Sequence, residues 1–305
     1  MKKLLPLLLL TVAVAGCIGQ PSATTLVCTG SGITDGITIT DFAFDFNEIY
    51  GAESVGLTLS VENLGGSSGT FESYQLFGLD FGTGGMQWEI TSGSDTASDL
   101  AETLSAPNQD LGIPGGMETY IWVIEAPTDL TVETPFNLNV RTTYEYSTSF
   151  SGVLSVMTQS YLQTLPPEER RDLIQRGGLS AQCHTGAPIK LEGAAGTHFV
   201  DPVGTQTIRF KVTNVGPGYP FYGADSNYDD IDSTTMYRVY IPVQTSGIVS
   251  CAADTIVLSR GQIGTFDCSF TAPSPTAKTD YTFQIDVDYY YWQDSMSAIR
   301  VLRPL

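Results

Sequence analysis

The sequence predicts an all-β protein made of two antiparallel β-sandwiches that are joined by a short α-helix. Three observations lead to this prediction: apolar and polar residues alternate along many short segments, one long stretch occurs twice, and only one segment has convincing helix signals. Successive side chains of an extended strand point to opposite faces, so alternation with a period of two indicates strands with one buried face.

The internal repeat is clearest in two stretches that carry the same pattern. They read GGMETYIWVIEAPTDLTVETPFNLNVRTTYEY from Gly115 to Tyr146 and GQIGTFDCSFTAPSPTAKTDYTFQIDVDYYYW from Gly261 to Trp292. Each begins at a Gly turn, alternates up to an Ala-Pro pair, crosses a polar loop and alternates again, which is the pattern of strand, turn and strand. Upstream, residues 57–65 match residues 208–216 in the same way. The repeat predicts two homologous domains.

Alternating segments fill both predicted domains. Those of the first domain, residues 25–157, lie near residues 25–29, 36–46, 54–63, 70–79, 85–90, 117–126, 132–146 and 150–157. Those of the second domain, residues 180–305, lie near residues 188–193, 205–214, 236–244, 254–258, 264–271, 279–292 and 296–302. Short strands separated by Gly, Pro and Asn turns, within about 130 residues, are typical of a β-sandwich.

The segment between the domains, residues 158–179, contains the predicted helix. Thr164 supplies a capping hydroxyl, residues 166–169 supply prolines and glutamates for the first turn, and residues 176–178 supply the end. Its apolar side consists of Leu173 and Ile174 alone, so we expect a spacer or hinge rather than a rigid joint. Each domain is then expected to bury its own core and to unfold by itself.

The chain begins with MKKLLPLLLLTVAVAGC, which is typical of a secretory signal: two lysines, an apolar run too short to form a stable membrane span, and small residues before Cys17. Val14-Ala15-Gly16-Cys17 resembles the lipobox of prokaryotic lipoproteins, and the following Ile-Gly-Gln is similar to archaeal lipoprotein starts. The resemblance implies a signal peptide over residues 1–16, a lipidated Cys17 that anchors the protein, and a tether over residues 17–24. An ordinary signal with a chance Cys is the alternative.

The composition limits the partners of the protein. The chain has 14 basic and 33 acidic residues, a formal net charge of −19. Such a charge repels nucleic acids and anionic lipid headgroups. We therefore expect no nucleic-acid partner. With the anchor that the lipobox resemblance implies, we expect contact with the membrane through the N-terminal lipid, and a surface protein or a glycan as partner on the extracytoplasmic face of the cell membrane.

Four further cysteines, an even number, are expected to form disulfides in an oxidising compartment. Cys251 and Cys268 flank two neighbouring predicted strands and are the expected first pair, with Trp122 and Ser105 at the equivalent positions of the first repeat. Cys28 and Cys183 each precede the first strand of a domain, so a bridge between them would fix the angle between the domains. Free buried thiols are the alternative for both pairs.

One acidic cluster is a candidate calcium site, and calcium is the one cofactor that the sequence suggests. Its oxygen ligands are Asp225, Asn227, Asp229, Asp230 and Asp232. Their alternating positions resemble the start of a calcium loop, although the Gly and the distal Glu of an EF-hand are missing and Met236 stands at the twelfth position. A solvated loop is the alternative.

Clustered aromatic residues form a candidate contact surface for a sugar or a protein. Tyr219, Phe221 and Tyr222 crowd the loop after Asn214, and Tyr290 and Trp292 lie on the face opposite Tyr289 and Tyr291. The alternative is that these rings cover the domain interface or the base of the loop.

The sequence does not favour an enzyme. His184 and His198 are the only histidines, and neither has a partner at metal-ligand spacing or a nucleophile motif nearby. The Asn and Gly after an alternating strand, and the long alternating strand near each repeat's end, are similar to Ig-like domains found in tandem on bacterial and archaeal surface proteins. This resemblance implies an architecture and assigns no functional residue. We expect a structural, adhesion or protein-interaction module; the alternative is a lipoprotein that binds a glycan, cation or peptide.

Overall fold

The computed structural model describes residues 34–303 except for 84, 177, 196–198, 203, 224–230, 247 and 272–276. Within these residues the chain is nearly all β, which confirms the predicted fold class. The elements of the first repeat are β1 (Ile37–Phe44), β2 (Glu48–Tyr50), β3 (Ser54–Asn63), β4 (Gly69–Phe77), β5 (Glu89–Ser92), β6 (Thr96–Ala97), β7 (Glu102–Leu104), β8 (Met117–Glu125) and β9 (Thr134–Met157).

Two helices, α1 (Gln159–Thr164) and α2 (Pro167–Arg176), connect the repeats. The elements that follow them are β10 (Leu179–His184), β11 (Ile189–Ala195), β12 (Thr205–Asn214), β13 (Tyr219–Phe221), β14 (Arg238–Ile241), β15 (Gln244–Ser246), β16 (Val249–Cys251), β17 (Asp254–Val257), β18 (Ile263–Thr271) and β19 (Lys278–Leu302). Neither helix is long and apolar enough to cross a membrane, nor is any other among the described residues.

The strands form two outer sheets and one large central sheet. The outer sheet of the first repeat has the order β1-β3-β8-β5, and that of the second repeat has the order β11-β12-β18-β16-β15. The central sheet has the order β17-β14-β19-β9-β4-β6, with β2, β7, β10 and β13 pairing along its strands. Strands of both repeats therefore belong to a single sheet.

The centre of this sheet is the pairing of β9 with β19. These strands are 24 and 25 residues long and pair antiparallel from Thr134 opposite Val301 to Met157 opposite Lys278. At a rise of about 3.3 Å per residue the ladder extends about 80 Å. Because the strands run in opposite directions, the second half of β19 lies beside the first half of β9, in the first repeat.

Side-chain contacts show that each long strand serves both repeats. Phe150 of β9 and Phe283 of β19 pack against Phe210 of β12, with ring centroids 5.6 and 6.2 Å away. At the other end of the ladder Phe136 packs against Trp88 at 5.3 Å, and Gln293 of β19 donates a hydrogen bond to the carbonyl oxygen of Ile37. Both outer sheets thus pack on the same face of the central sheet.

The sequence predicted a break in each of these strands, and both breaks are absent. The expected interruptions are polar, at residues 147–149 and 293–295. In the structure the hydroxyl of Thr148 shares a hydrogen bond with that of Tyr289 at 2.9 Å, and Ser149 Oγ donates to Asp286 Oδ1 at 2.6 Å. Since these side chains, like Gln293, find partners within the sheet, they do not interrupt it.

The expectation that each repeat buries its own core is wrong. Buried residues of both repeats form one continuous hydrophobic cluster, which includes Leu59 of β3, Val140 of β9, Phe210 of β12 and Val287 of β19. The physical reason is the shared ladder, whose inward side chains run without interruption from one outer sheet to the other. The angle between the repeats is set by this ladder and not by a hinge at the connector.

The connector differs in detail from the predicted helix. Thr158 caps α1 by accepting the N–H of Tyr161 at 3.2 Å, and α2 begins at Pro167. Arg170 of α2 donates to the carbonyl oxygens of Leu162, Gln163 and Leu165 at 3.0 to 3.1 Å. These bonds satisfy the last carbonyls of α1, so one arginine joins the two helices.

We expect the whole protein to unfold in one transition. Phe210→Ala, in the outer sheet of the second repeat, should lower the free energy of unfolding by about 3–5 kcal/mol. Because the core is continuous, the loss should appear equally in far-UV circular dichroism and in the fluorescence of Trp88 and Trp122 of the first repeat, both measured in a Trp292→Phe background that removes the third tryptophan. Thr265→Ala, on an exposed face, is the control. A tryptophan transition that stays at the wild-type midpoint would show that the repeats unfold independently.

Candidate functional site

Four tyrosines occupy the core face at the centre of the ladder. Tyr144, Tyr146, Tyr289 and Tyr291 are at most 2% exposed. Tyr144 lies opposite Tyr291 with ring centroids 5.4 Å apart, and Tyr146 lies opposite Tyr289 at 6.3 Å. We call these residues the tyrosine cluster. It lies where the two repeats meet.

Two matching hydrogen-bond networks tie this cluster to the repeats. In the second repeat the Tyr291 hydroxyl donates to Asn214 Oδ1 at 2.9 Å and accepts the N–H of Gly218 at 3.0 Å. Asn214 Nδ2 in turn donates to the carbonyl oxygen of Gly218 at 2.8 Å. The Tyr291 hydroxyl, the Asn214 amide and the N–H of Gly218 therefore have partners, as a stable core requires.

The first repeat contains the same arrangement. The Tyr146 hydroxyl donates to the carbonyl oxygen of Ser67 at 2.7 Å, accepts the N–H of Ser67 at 3.1 Å and lies 3.4 Å from Asn63 Oδ1. Asn63 Nδ2 donates to the carbonyl oxygen of Ser67 at 2.8 Å. Tyr146 therefore corresponds to Tyr291, and a pseudo-two-fold axis crosses the ladder between them.

The predicted contact surface lies on the opposite face of the same strands. Strand β13 pairs with β19 so that Tyr219 lies opposite Trp292 and Phe221 lies opposite Tyr290. Their ring centroids are 5.2 and 5.4 Å apart, and Tyr222 stacks on Tyr290 at 6.3 Å. The structure thus brings all five predicted aromatic residues together.

These rings pack mainly on one another. Phe221 is fully buried, and Tyr222 stacks on Tyr240 with centroids 4.9 Å apart. The guanidinium of Arg141 lies 4.3 Å from the ring centroid of Trp292 and donates two hydrogen bonds to Asp294 at 2.8 and 2.9 Å. This packing supports the alternative that the aromatic residues cover the base of a loop. A role in ligand contact stays a prediction.

Most of the predicted calcium loop lies outside the described residues, namely Asp225, Asn227, Asp229 and Asp230. Asp232 is described, and its Oδ1 accepts hydrogen bonds from Thr234 Oγ1 and from the N–H groups of Thr234 and Thr235. These bonds lower the pKa of the carboxyl group, the side-chain bond from Thr234 most of all. Asp232 therefore caps a turn, and calcium binding stays a prediction. The described part of the chain has no group of three or more His, Cys, Asp or Glu suited to a metal.

The disulfide predicted between Cys251 and Cys268 is confirmed. It joins β16 to β18, with Cα atoms 4.5 Å apart and both residues buried. Strand register also confirms the predicted equivalence with Trp122, because Trp122 lies opposite Leu57 just as Cys268 lies opposite Ile208. One repeat fills this position with an aromatic side chain, and the other crosslinks it.

Of five other positions that the sequence analysis names, the structure describes two. Cys183 is also disulfide-bonded, while Cys28, its expected partner, and Cys17, the expected lipid site, lie outside the described residues. His184 is partly buried, and its pKa is lowered first by this burial and then by the charge of Lys190. His198 lies outside the described residues.

One feature that the sequence did not reveal is a small cleft of about 50 Å³ at the end of β8. It is lined by Gly85, Gln87, Glu89, Glu125, Ala126 and Thr128. The cleft is far smaller than the roughly 300–1,000 Å³ of pockets for organic ligands. Two of its lining residues, Glu89 and Glu125, are cross-strand partners, and no spacing in the sequence pointed to this pair.

Comparisons with known proteins identify no family. No protein-family model matches the chain, and no curated protein matches it. Among solved structures, the D0–D1 domain of intimin is similar at 10% identity and a TM-score of 0.14, covering 87% of this chain and 98% of that one. The type II cohesin dyad from the adaptor ScaA scaffoldin of Acetivibrio cellulolyticus is similar at 10% identity and a TM-score of 0.17, covering 84% and 85%. The description of the fold rests on the strands and sheets themselves.

We expect the disulfide to stabilise the fold measurably. It links residues 17 positions apart, and closing a loop of this length contributes about 3 kcal/mol. The double variant Cys251→Ala, Cys268→Ala should lose about this much free energy of unfolding in urea. Mass spectrometry of the wild-type protein, isolated without reductant, should find both thiols oxidised. Free thiols at these two positions would contradict the assignment.

The tyrosine cluster should make the protein sensitive to alkali. Burial raises the pKa of Tyr146 to about 12 and also raises the pKa values of Tyr144, Tyr289 and Tyr291 above their ordinary value of 10.0. The folded state thus favours the neutral phenols, so the free energy of unfolding should be constant below pH 10 and fall as the pH rises toward 12.

Urea unfolding between pH 8 and 12 tests this expectation. Tyr146→Phe should lose about 1–3 kcal/mol near neutral pH, because the carbonyl oxygen and the N–H of Ser67 lose a partner, and should show a weaker pH dependence. Tyr281→Phe, in the same ladder but outside the cluster, is the control. Ionisation of every tyrosine near pH 10 in the folded protein would argue against the buried cluster.

Proposed function

We propose that this protein is a lipid-anchored structural and protein-interaction module on the extracytoplasmic face of the cell membrane. The observation that carries the proposal is the uninterrupted ladder of β9 and β19. It joins both repeats in one body with a continuous core. A body of this kind transmits force and holds its surfaces in fixed relative positions, which suits a spacer that projects from a membrane.

The start of the sequence supports the anchoring. A lipobox-like segment before Cys17 provides one lipid attachment, and the acidic composition keeps the folded part away from anionic headgroups. A single lipid attachment can be reinforced by protein partners. The anchor and the contact surface are therefore expected to act together.

The hydrogen bonds of the buried hydroxyl groups and of Arg141 support a module without catalytic activity. In the tyrosine cluster, the hydroxyl groups of Tyr146 and Tyr291 bond asparagines and backbone atoms, and that of Tyr289 bonds Thr148. Arg141 is held by Asp294. These are interactions that hold the sheet together. The second candidate function, capture of a glycan, cation or peptide, would use the partly exposed edges of Tyr222 and Tyr290.

The anchor can be tested with Cys17→Ser in cells that produce the full chain. We expect the variant to move from the detergent phase to the aqueous phase, or to remain unprocessed, because the side chain that carries the lipid is gone. Gln20→Ala, three residues further along, should leave partitioning unchanged. If the Cys17→Ser protein still partitions into detergent as the wild type does, the lipid anchor is wrong.

A further inference from the structure

The outer sheet of the first repeat exposes an uncharged strip to solvent. Alternate residues of β8 point outward, and among them Met117, Ile121 and Val123 are 59%, 67% and 36% exposed. Thr58 of β3 lies opposite Ile121, and Ser60 lies opposite Thr119 with the two hydroxyls 3.2 Å apart. We call the outward side of β3 and β8 the β8 face.

The second repeat provides an internal reference for this face. Since Trp122 corresponds to Cys268, the pair of Thr58 and Ile121 corresponds to the pair of Arg209 and Asp267. Arg209 donates two hydrogen bonds to Asp267 at 2.8 and 2.9 Å, and both side chains are well exposed. The same architecture therefore tolerates an exposed ion pair here. Folding does not require an apolar side chain at position 121.

The rim of the β8 face is acidic. Asp41 lies opposite Ser60, and Glu62 lies opposite Met117. Glu89 lies directly opposite Glu125, and like charges in such a cross-strand pair repel each other. These two glutamates also line the small cleft at the end of β8. A basic group that entered the cleft would relieve this repulsion.

We propose that the β8 face binds a protein partner that presents apolar side chains at its centre and Lys or Arg at its rim. One basic side chain of the partner enters the cleft between Glu89 and Glu125. The proposal rests on the interaction role proposed above and names its surface and its partner. A second copy of this chain does not fit, because it would bring one acidic rim against another and add two net charges of −19.

Site-specific photocrosslinking tests the proposal with matched positions. Thr119 and Thr265 are exposed threonines at equivalent places in β8 and β18, opposite Ser60 and Lys211. The photoreactive residue p-benzoylphenylalanine replaces one or the other in the full-length protein on cells that produce it. We expect one protein to be crosslinked from position 119 and not from position 265.

The crosslinked protein is then purified and its affinity for the wild-type protein is measured by surface plasmon resonance. Ile121→Asp should weaken binding at least about tenfold, since it places a charge in the apolar centre of the contact. Glu125→Gln should weaken binding about tenfold and reduce its dependence on salt. Asp267→Asn, on the equivalent face of the second repeat, should leave the affinity unchanged. Unchanged melting temperatures would show that each variant is folded.

Several results would overturn the proposal. These are no crosslinked protein from position 119, equal crosslinking from both positions, a crosslinked second copy of this chain, or an affinity that Ile121→Asp does not change. A partner captured at position 265 alone would reject the β8 face and leave the interaction role intact. The proposed lipid anchor is tested separately, by the partitioning of the Cys17→Ser variant.

Discussion

The structure depends on one interaction, the pairing of β9 with β19. A strand of this length is about twice as long as a single sandwich needs, so half of it would be left without a partner in its own repeat. Antiparallel pairing of the two copies removes this problem for both at once, because each supplies the missing neighbour of the other. The outer sheets, the continuous core and the fixed arrangement of the repeats all follow from this ladder.

The centre of the ladder shows how such a junction is stabilised. Four buried phenols would be costly if their hydroxyl groups lacked partners. Asn63 and Asn214 meet part of this requirement, each bonding one tyrosine and the backbone of the following turn. Thr148 meets another part through Tyr289. The junction is therefore an aromatic core with a specific polar network, in which the bond between Thr148 and Tyr289 joins the two strands directly.

The two repeats differ at particular positions and keep the same strand framework. At one core position the first repeat has Trp122, and the second has the disulfide of Cys268. On the outer sheets the first repeat has the uncharged pair of Thr58 and Ile121, and the second has an ion pair. Core differences preserve stability by different means. The fold does not require the uncharged pair on the surface of the first repeat. This difference therefore agrees with the proposed contact with another molecule.

The sequence by itself determined the fold class, the repeat and the disulfide of Cys251 with Cys268. These follow from local periodicity, from the offset between the copies and from the proximity of neighbouring strands. It also grouped the five aromatic residues of the candidate contact surface.

Only the tertiary structure decided that the two repeats share a core, because strand pairing between distant segments leaves no local pattern. The polar residues around Thr148 and Gln293 resemble turns in sequence, and their partners appear only when both strands are in place. For the same reason Glu89 and Glu125, far apart in the chain, become neighbours only through the pairing of β5 with β8.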